Sequence, residues 1–191
     1  ARNAGAKVIY DVKCSRLLGR EIESLGGEPI MSRSGHSLIK SEMKETGALL
    51  AGEMSGHIFF KEDWYGFDDA LYAAAQLLEI LVSSDEPPAV TLANIPDGIA
   101  TPEIRLYMPE EEHANFMQRI LVDAKFDDAE ITTIDGLRVD FRDAWGLIRA
   151  SNTTPCLILR FEGENEVSLE AIKNRFRQLL TGIDADLSLP F

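Results

Sequence analysis

The first half of the chain alternates apolar, β-branched runs with segments of helical periodicity, and this alternation most constrains the fold. The run at residues 7–12 is suited to a buried strand. Ser15 then offers a side-chain oxygen as a helix N-cap, and the helix ends at the glycines of residues 26–27. This order predicts a strand followed by a helix.

The same order recurs downstream. A second strand is predicted at residues 29–32, and Ser37 is the expected cap of a helix that runs to Thr46. Gly47 ends this helix before a third strand at residues 48–52. A further strand is predicted at residues 58–61. Strands that alternate with helices predict an α/β domain, whose sheet we expect to be mixed.

A helix is predicted after the aromatic turn at residues 64–66. Its apolar residues recur at helical spacing, so we expect them to form core: Leu71, Ala74, Ala75, Leu78 and Leu81. The segment at residues 83–88 then ends the helix with two prolines, and a loop-rich connection continues to about Thr101. We therefore divide the chain into domains at residues 1–100 and 101–191.

The second domain has a different pattern, because its strands follow one another with few helices between them. Strands are predicted at residues 103–108, 130–134, 137–141, 147–150 and 156–161, and helices at about 111–124 and 169–180. Asp135 and Gly136 are a two-residue hairpin signal. The pattern predicts an α+β domain, with an antiparallel sheet and two helices on one face.

A polar loop at residues 53–57 interrupts two apolar segments and is the clearest candidate for chemistry. It reads Glu-Met-Ser-Gly-His, and Gly52 and Gly56 permit an irregular backbone there. Glu53, Ser55 and His57 would converge at a strand end. His57 alone is equally consistent with substrate contact and with a structural role.

A second candidate lies between two strands, at residues 149–155, which read Arg-Ala-Ser-Asn-Thr-Thr-Pro. Arg149 offers a planar fork for a phosphate, and the polar residues that follow supply neutral donors: Ser151, Asn152, Thr153 and Thr154. The alternative is an ordinary turn with a solvated arginine, because Ser, Asn, Thr and Pro are common turn residues.

Composition excludes some functions. The formal net charge of −13 argues against nonspecific binding to nucleic acid or to an anionic membrane surface. No apolar stretch is long enough for a bilayer span, and the N-terminus does not resemble a signal peptide. Cys14 and Cys156 lack metal-ligand spacing and are expected to be reduced core residues, which favours a cytoplasmic protein.

Both polar loops resemble those of one family, the phosphomannomutase/phosphoglucomutases among the α-D-phosphohexomutases. The resemblance extends through residues 11–15, 35–40, 43–47 and 64–69, which read Asp-Val-Lys-Cys-Ser, Gly-His-Ser-Leu-Ile-Lys, Met-Lys-Glu-Thr-Gly and Trp-Tyr-Gly-Phe-Asp-Asp. It implies that the chain corresponds to the third and fourth domains of the family, the fourth being similar in fold to the TATA-box-binding protein.

The resemblance also implies roles for individual residues. Glu53 and Ser55 would bind the ring hydroxyls of a hexose, and His57 would close that loop beside the substrate. The nonreacting phosphate would be held by four residues, Arg149, Ser151, Asn152 and Thr153. Lys13 and His36 would lie near the reacting end, where they could bind phosphate or assist proton transfer.

The family interconverts hexose 1-phosphates and hexose 6-phosphates through a phosphoserine and a hexose 1,6-bisphosphate, with Mg²⁺ bound by an Asp-rich loop. Neither the serine motif nor the metal loop occurs in this sequence. The resemblance therefore implies the substrate-binding C-terminal half of a mutase for glucose, mannose or both, inactive without the N-terminal catalytic domains. The alternative is a stand-alone, non-catalytic module that binds sugar phosphates.

Overall fold

A computed structural model of the protein describes residues 3–151 and 154–191. The chain divides into two compact units, residues 1–97 and 98–191, so the division falls three residues before the boundary expected from the sequence. Within its described residues, 3–97, the first unit contains four strands and four helices: β1 (Lys7–Asp11), α1 (Arg16–Ser24), β2 (Glu28–Ser32), α2 (His36–Thr46), β3 (Leu50–Gly52), β4 (Ile58–Phe60), α3 (Ala70–Val82) and α4 (Pro88–Thr91).

The sheet of the first unit is mixed, as predicted. Its strand order is β2-β1-β3-β4, with β1 parallel to β2 and β3 and with β4 antiparallel to β3. Successive residues of β1 face opposite sides, so Ile9 packs with Ile39 of α2 while Tyr10 packs with Ile22 of α1. The sheet therefore lies between helices, and the predicted α/β class is confirmed.

The part of the second unit that the structure describes contains six strands and two helices: β5 (Ile99–Ala100), β6 (Ile104–Tyr107), α5 (Glu110–Asp123), β7 (Glu130–Thr132), β8 (Leu137–Asp140), β9 (Ala144–Ala150), β10 (Cys156–Gly163) and α6 (Glu166–Ile183). The sheet order is β5-β10-β9-β8-β7, β6 also pairs with β10, and every pairing is antiparallel.

Both long helices of the second unit cover one face of this sheet. Ile120 of α5 and Phe176 of α6 pack in one cluster with Ile148 and Leu159 of the sheet. This confirms the predicted α+β class with two helices on one face. The capping box of Asn165 with Ser168 explains why α6 begins earlier than its apolar periodicity indicates.

Two of the predicted helix ends are confirmed, and one is wrong. Ser15 caps α1 by accepting from Leu17 N, and Gly47 ends α2 in the left-handed conformation. Ser37, however, is not the cap of α2. The helix begins at His36, because the Gly35 carbonyl already accepts from Ile39 N and Gly35 adopts a φ of 132° that glycine tolerates.

The prediction that the apolar stripe of α3 is core is wrong. Leu71 and Leu78 are 86% and 60% exposed, and α3 contains no buried residue. The helix contacts its own unit through the opposite side, where the Tyr72 ring stacks on Trp64 at 4.3 Å and meets Phe60 edge-on at 5.3 Å. The first unit therefore leaves an apolar helix face uncovered.

We expect Leu71→Gln and Leu78→Gln to change the free energy of unfolding of the first unit by less than about 0.5 kcal/mol, because neither side chain is packed. Ile39→Ala, in the fully buried core of the same unit, should cost about 2–5 kcal/mol. Urea unfolding followed by NMR signals of this unit measures both. A loss for Leu78→Gln as large as that for Ile39→Ala would contradict the exposed placement.

Candidate functional site

Most of the predicted site residues of the first unit lie at one edge of its sheet. The three strands β1, β2 and β3 are parallel, so their carboxyl ends meet at the same edge. Lys13 follows β1, His36 follows β2 and Glu53 follows β3. The carboxyl edge of parallel strands is where α/β proteins commonly bind their ligands.

A buried aspartate that the sequence analysis assigned no role holds this edge together. Asp11, the last residue of β1, is fully buried. Its carboxylate accepts hydrogen bonds from Ser34 Oγ at 2.9 Å, from Met54 N at 3.2 Å and from Cys14 Sγ at 3.2 Å, and Lys13 Nζ lies 3.6 Å away. One carboxylate therefore joins the segments that follow all three parallel strands.

Glu53 is bound into the same edge. It is only 9% exposed, and its Oε1 accepts from Gly35 N at 2.8 Å, immediately before α2. Two backbone bonds close its loop, from Glu53 N to the His57 carbonyl and from Gly56 N to the Glu53 carbonyl, each at 2.9 Å. One carboxylate oxygen thus fixes the loop, and sugar hydroxyls would have to use the remaining acceptor capacity.

Ser55 and His57 lie on the exposed part of this loop. His57 Nδ1 is 2.5 Å from Asp68 Oδ2, and the His57 side chain is 47% exposed. A carboxylate on Nδ1 fixes the orientation of the ring, which leaves Nε2 as the nitrogen that can face a ligand. Asp68 is a second residue to which the sequence analysis gave no role, although its motif was noted.

In the second unit, Arg149 is the last residue but one of β9 and is 5% exposed. Its Nε and Nη2 donate to Asp135 Oδ2 and Oδ1 at 3.1 and 3.3 Å. Arg149 is therefore not the solvated arginine that the turn alternative expected. Ser151 Oγ accepts from Thr154 N at 3.2 Å, while the predicted ligands Asn152 and Thr153 lie outside the described residues.

The described chain also has cavities away from these residues. One of about 500 Å³ is lined by residues of the second unit that include Asp128 and Arg175, and it contains no predicted site residue. Side-chain hydrogen bonds from Arg175 hold the pKa of Asp128 below its usual value, so this carboxylate is ionised and paired. We therefore assign no ligand site to this cavity.

Neither a metal centre nor a membrane span is found in residues 3–151 and 154–191. No three His, Cys, Asp or Glu side chains there are grouped so that they could hold a metal ion. None of the helices is both long and apolar enough to cross a bilayer. Cys14 and Cys156 are both buried, as expected of core residues.

We expect Asp11→Asn to lower the free energy of unfolding of the first unit by about 2–3 kcal/mol, because donors arranged around a buried carboxylate lose their acceptor or meet a donor instead. Amide NMR signals of Ser34 and Met54 should shift in the same variant. Asp63→Asn, an exposed substitution in the same unit, serves as the control in urea unfolding. Equal stability of the two variants would contradict the role of Asp11.

Comparisons with known proteins cover both units. The family model described as phosphoglucomutase/phosphomannomutase, alpha/beta/alpha domain III, matches residues 1–98. The model described as phosphoglucomutase/phosphomannomutase, C-terminal domain, matches residues 103–179. A phosphomannomutase/phosphoglucomutase of Pseudomonas aeruginosa is 51% identical over 191 residues, which are 100% of this chain and 41% of the relative. The chain thus spans about two fifths of the length of such relatives.

Solved structures agree. A phosphoglucomutase/phosphomannomutase family protein of Burkholderia thailandensis superposes with a TM-score of 0.92 at 49% identity, over 100% of this chain and 40% of that one. The fold is shared with an N-acetylphosphoglucosamine mutase of Aspergillus fumigatus, solved in complex with GlcNAc-6P and magnesium. There the TM-score is 0.61 and the identity 11%, over 94% of this chain and 42% of that one.

Proposed function

Because the chain belongs to the phosphoglucomutase/phosphomannomutase family, we propose that it is the substrate-binding part of a mutase that interconverts hexose 1-phosphates and hexose 6-phosphates. Family membership confirms the resemblance drawn from the sequence. The observation that carries the proposal is the carboxyl edge of the first sheet, where Asp11 and Gly35 hold the loop of Glu53 in one conformation.

We propose that the loop of Glu53 binds the neutral sugar ring and that the loop of Arg149 binds the charged phosphate. Glu53 and Ser55 bind hydroxyls of the hexose ring, because a carboxylate can accept from two neighbouring hydroxyls. His57, with its ring oriented by Asp68, binds the same sugar through Nε2. These hydroxyls are common to glucose and mannose, so the loop does not discriminate between the two sugars.

The phosphate that does not react is bound in the second unit by Arg149, Ser151, Asn152 and Thr153. The buried guanidinium of Arg149 supports this role, because a planar fork matches a phosphate in a bidentate manner. Lys13 and His36, at the carboxyl edge of the first sheet, face the reacting end and bind phosphate or assist proton transfer.

The phosphoryl transfer itself needs parts that this chain does not supply. Moving a phosphoryl group depends on positioning and on cations that offset its charge. Among the described residues, no three His, Cys, Asp or Glu side chains are grouped so that they could hold a metal ion. We propose that N-terminal catalytic domains provide the phosphoserine, the metal loop and the turnover of the hexose 1,6-bisphosphate. Such domains would correspond to the remaining length of the longer relatives, and they are the proposed partner of this chain.

The exposed face of α3 supports such a partner. A helix that is apolar on nearly every side is buried in a complete protein, yet Leu71, Leu78 and Val82 are between 60% and 86% exposed in this chain. Uncovered apolar surfaces of this kind mark contacts with other domains or chains. The catalytic domains of the mutase would cover this face.

We expect glucose 1-phosphate to shift the amide NMR signals of residues 52–57 and 149–154 in a saturable manner at millimolar concentration. Arg149→Ala should weaken this binding about tenfold or more, because a charge-assisted bidentate contact is lost. Its effect on ligand affinity should exceed its effect on the stability of the second unit. Equal affinity in the variant and the parent would refute the phosphate role.

The purified chain should show no sustained mutase activity with glucose 1-phosphate or mannose 1-phosphate, because it lacks the nucleophile and the metal. The control is the full-length Pseudomonas aeruginosa relative assayed in parallel. Turnover that persists in the Arg149→Ala variant would indicate a contaminating enzyme. Turnover that the parent shows and this variant loses would contradict the proposed dependence on other domains.

A further inference from the structure

The carboxylate beside Arg149 raises a question about how this arginine binds phosphate. Arg149 has five N–H groups, and two of them, on Nε and Nη2, donate to the two oxygens of Asp135. The side chains of Arg149 and Asp135 are 6% and 15% exposed. A phosphate on this guanidinium would therefore have to use the N–H groups on its other edges.

The turn that contains Asp135 packs closely against the backbone of Arg149. Gly136 adopts a φ of 89°, and a Cβ built at this position would lie 2.3 Å from the Ile148 carbonyl oxygen and 2.7 Å from Arg149 Cα and Cβ. No other residue fits there without movement of the backbone. The hairpin between β7 and β8 thus holds the Asp135 carboxylate at a fixed distance from β9.

We propose that Asp135 is a positioning residue, which fixes the plane of the Arg149 guanidinium so that its opposite edge meets the phosphate of the substrate. This inference rests on the proposed function of Arg149. A flexible arginine loses side-chain entropy when it grips a phosphate, and a guanidinium that is already held loses less. The carboxylate also compensates the buried positive charge before the ligand arrives.

A purely electrostatic view of the site makes the opposite prediction. Asp135 places a negative charge beside the guanidinium, so its removal should attract a dianionic phosphate more strongly. Positioning predicts that removal of this charge weakens binding. The sign of the change in Kd therefore separates the two explanations.

The test is a titration of the whole chain with glucose 1-phosphate, in the parent and in Asp135→Asn. We expect the variant to raise Kd about tenfold. The matched control is Asp140→Asn. Asp140 forms a similar bidentate pair with the buried Arg138 of the same sheet, at 2.8 and 2.9 Å. The hydrogen bonds described for Asp140 go to Arg138 and not to Arg149. The control should lower the stability of this unit without changing Kd.

The outcomes separate the inference from its premise. A parent that does not bind, or Arg149→Ala with the affinity of the parent, overturns the proposed phosphate site and the positioning role with it. Weakened binding in Arg149→Ala but an unchanged or lowered Kd in Asp135→Asn overturns positioning alone. A Kd raised equally in Asp140→Asn also overturns it, because the effect would then follow stability.

A second measurement uses only the parent and does not depend on the folding of a variant. The Nε–H signal of Arg149 in a ¹H–¹⁵N spectrum reports its hydrogen bond to Asp135. If Asp135 positions the guanidinium, this signal keeps its shift and its protection from exchange when glucose 1-phosphate saturates the chain. A large shift on saturation would show that the arginine leaves Asp135 for the phosphate, and this would overturn the inference.

Discussion

The carboxylate of Asp11 is the interaction on which the candidate site of the first unit depends. A buried carboxylate is costly unless donors surround it, and here they come from residues at the ends of three different strands. The bonds from Ser34 and Met54 join chain segments that are distant in sequence, whereas Cys14 lies only three residues after Asp11. Because Met54 N donates to this carboxylate and Lys13 Nζ lies 3.6 Å from it, Asp11 also places the loop of Glu53 relative to Lys13.

The second unit uses the same physical device with the charges reversed. There the buried group of the candidate site is the guanidinium of Arg149, and Asp135 provides the compensating charge from the neighbouring hairpin. The Arg138–Asp140 pair shows that this sheet accommodates buried arginines elsewhere as well, where the Arg138 guanidinium lies 4.0 Å from the Trp145 ring centroid. A buried arginine–aspartate pair in this sheet is thus not by itself a mark of function.

The sequence predicted the classes of both units because they depend on local signals. The capping oxygen of Ser15 and the left-handed Gly47 set helix ends by chemistry within a few residues. Ser37 misled the prediction because serine is a good cap in general, whereas Gly35 here enters the helix through a backbone conformation that no side chain signals. The polar loops of Glu53 and Arg149 were found for the same reason, since their residue types stand out within short segments.

Long-range contacts could not be predicted in this way. That Asp11 meets Met54, or that Asp135 meets Arg149, depends on which strands pair with one another, and the residues of a single segment do not specify this. The apolar stripe of α3 is a second case in which a local pattern did not predict a long-range contact. Helical periodicity shows that a face is apolar and will be covered, but it cannot show whether the cover belongs to the same unit. Periodicity identified Leu71 and Leu78 as one apolar face of the helix, but the structure shows that their own unit does not pack against this face.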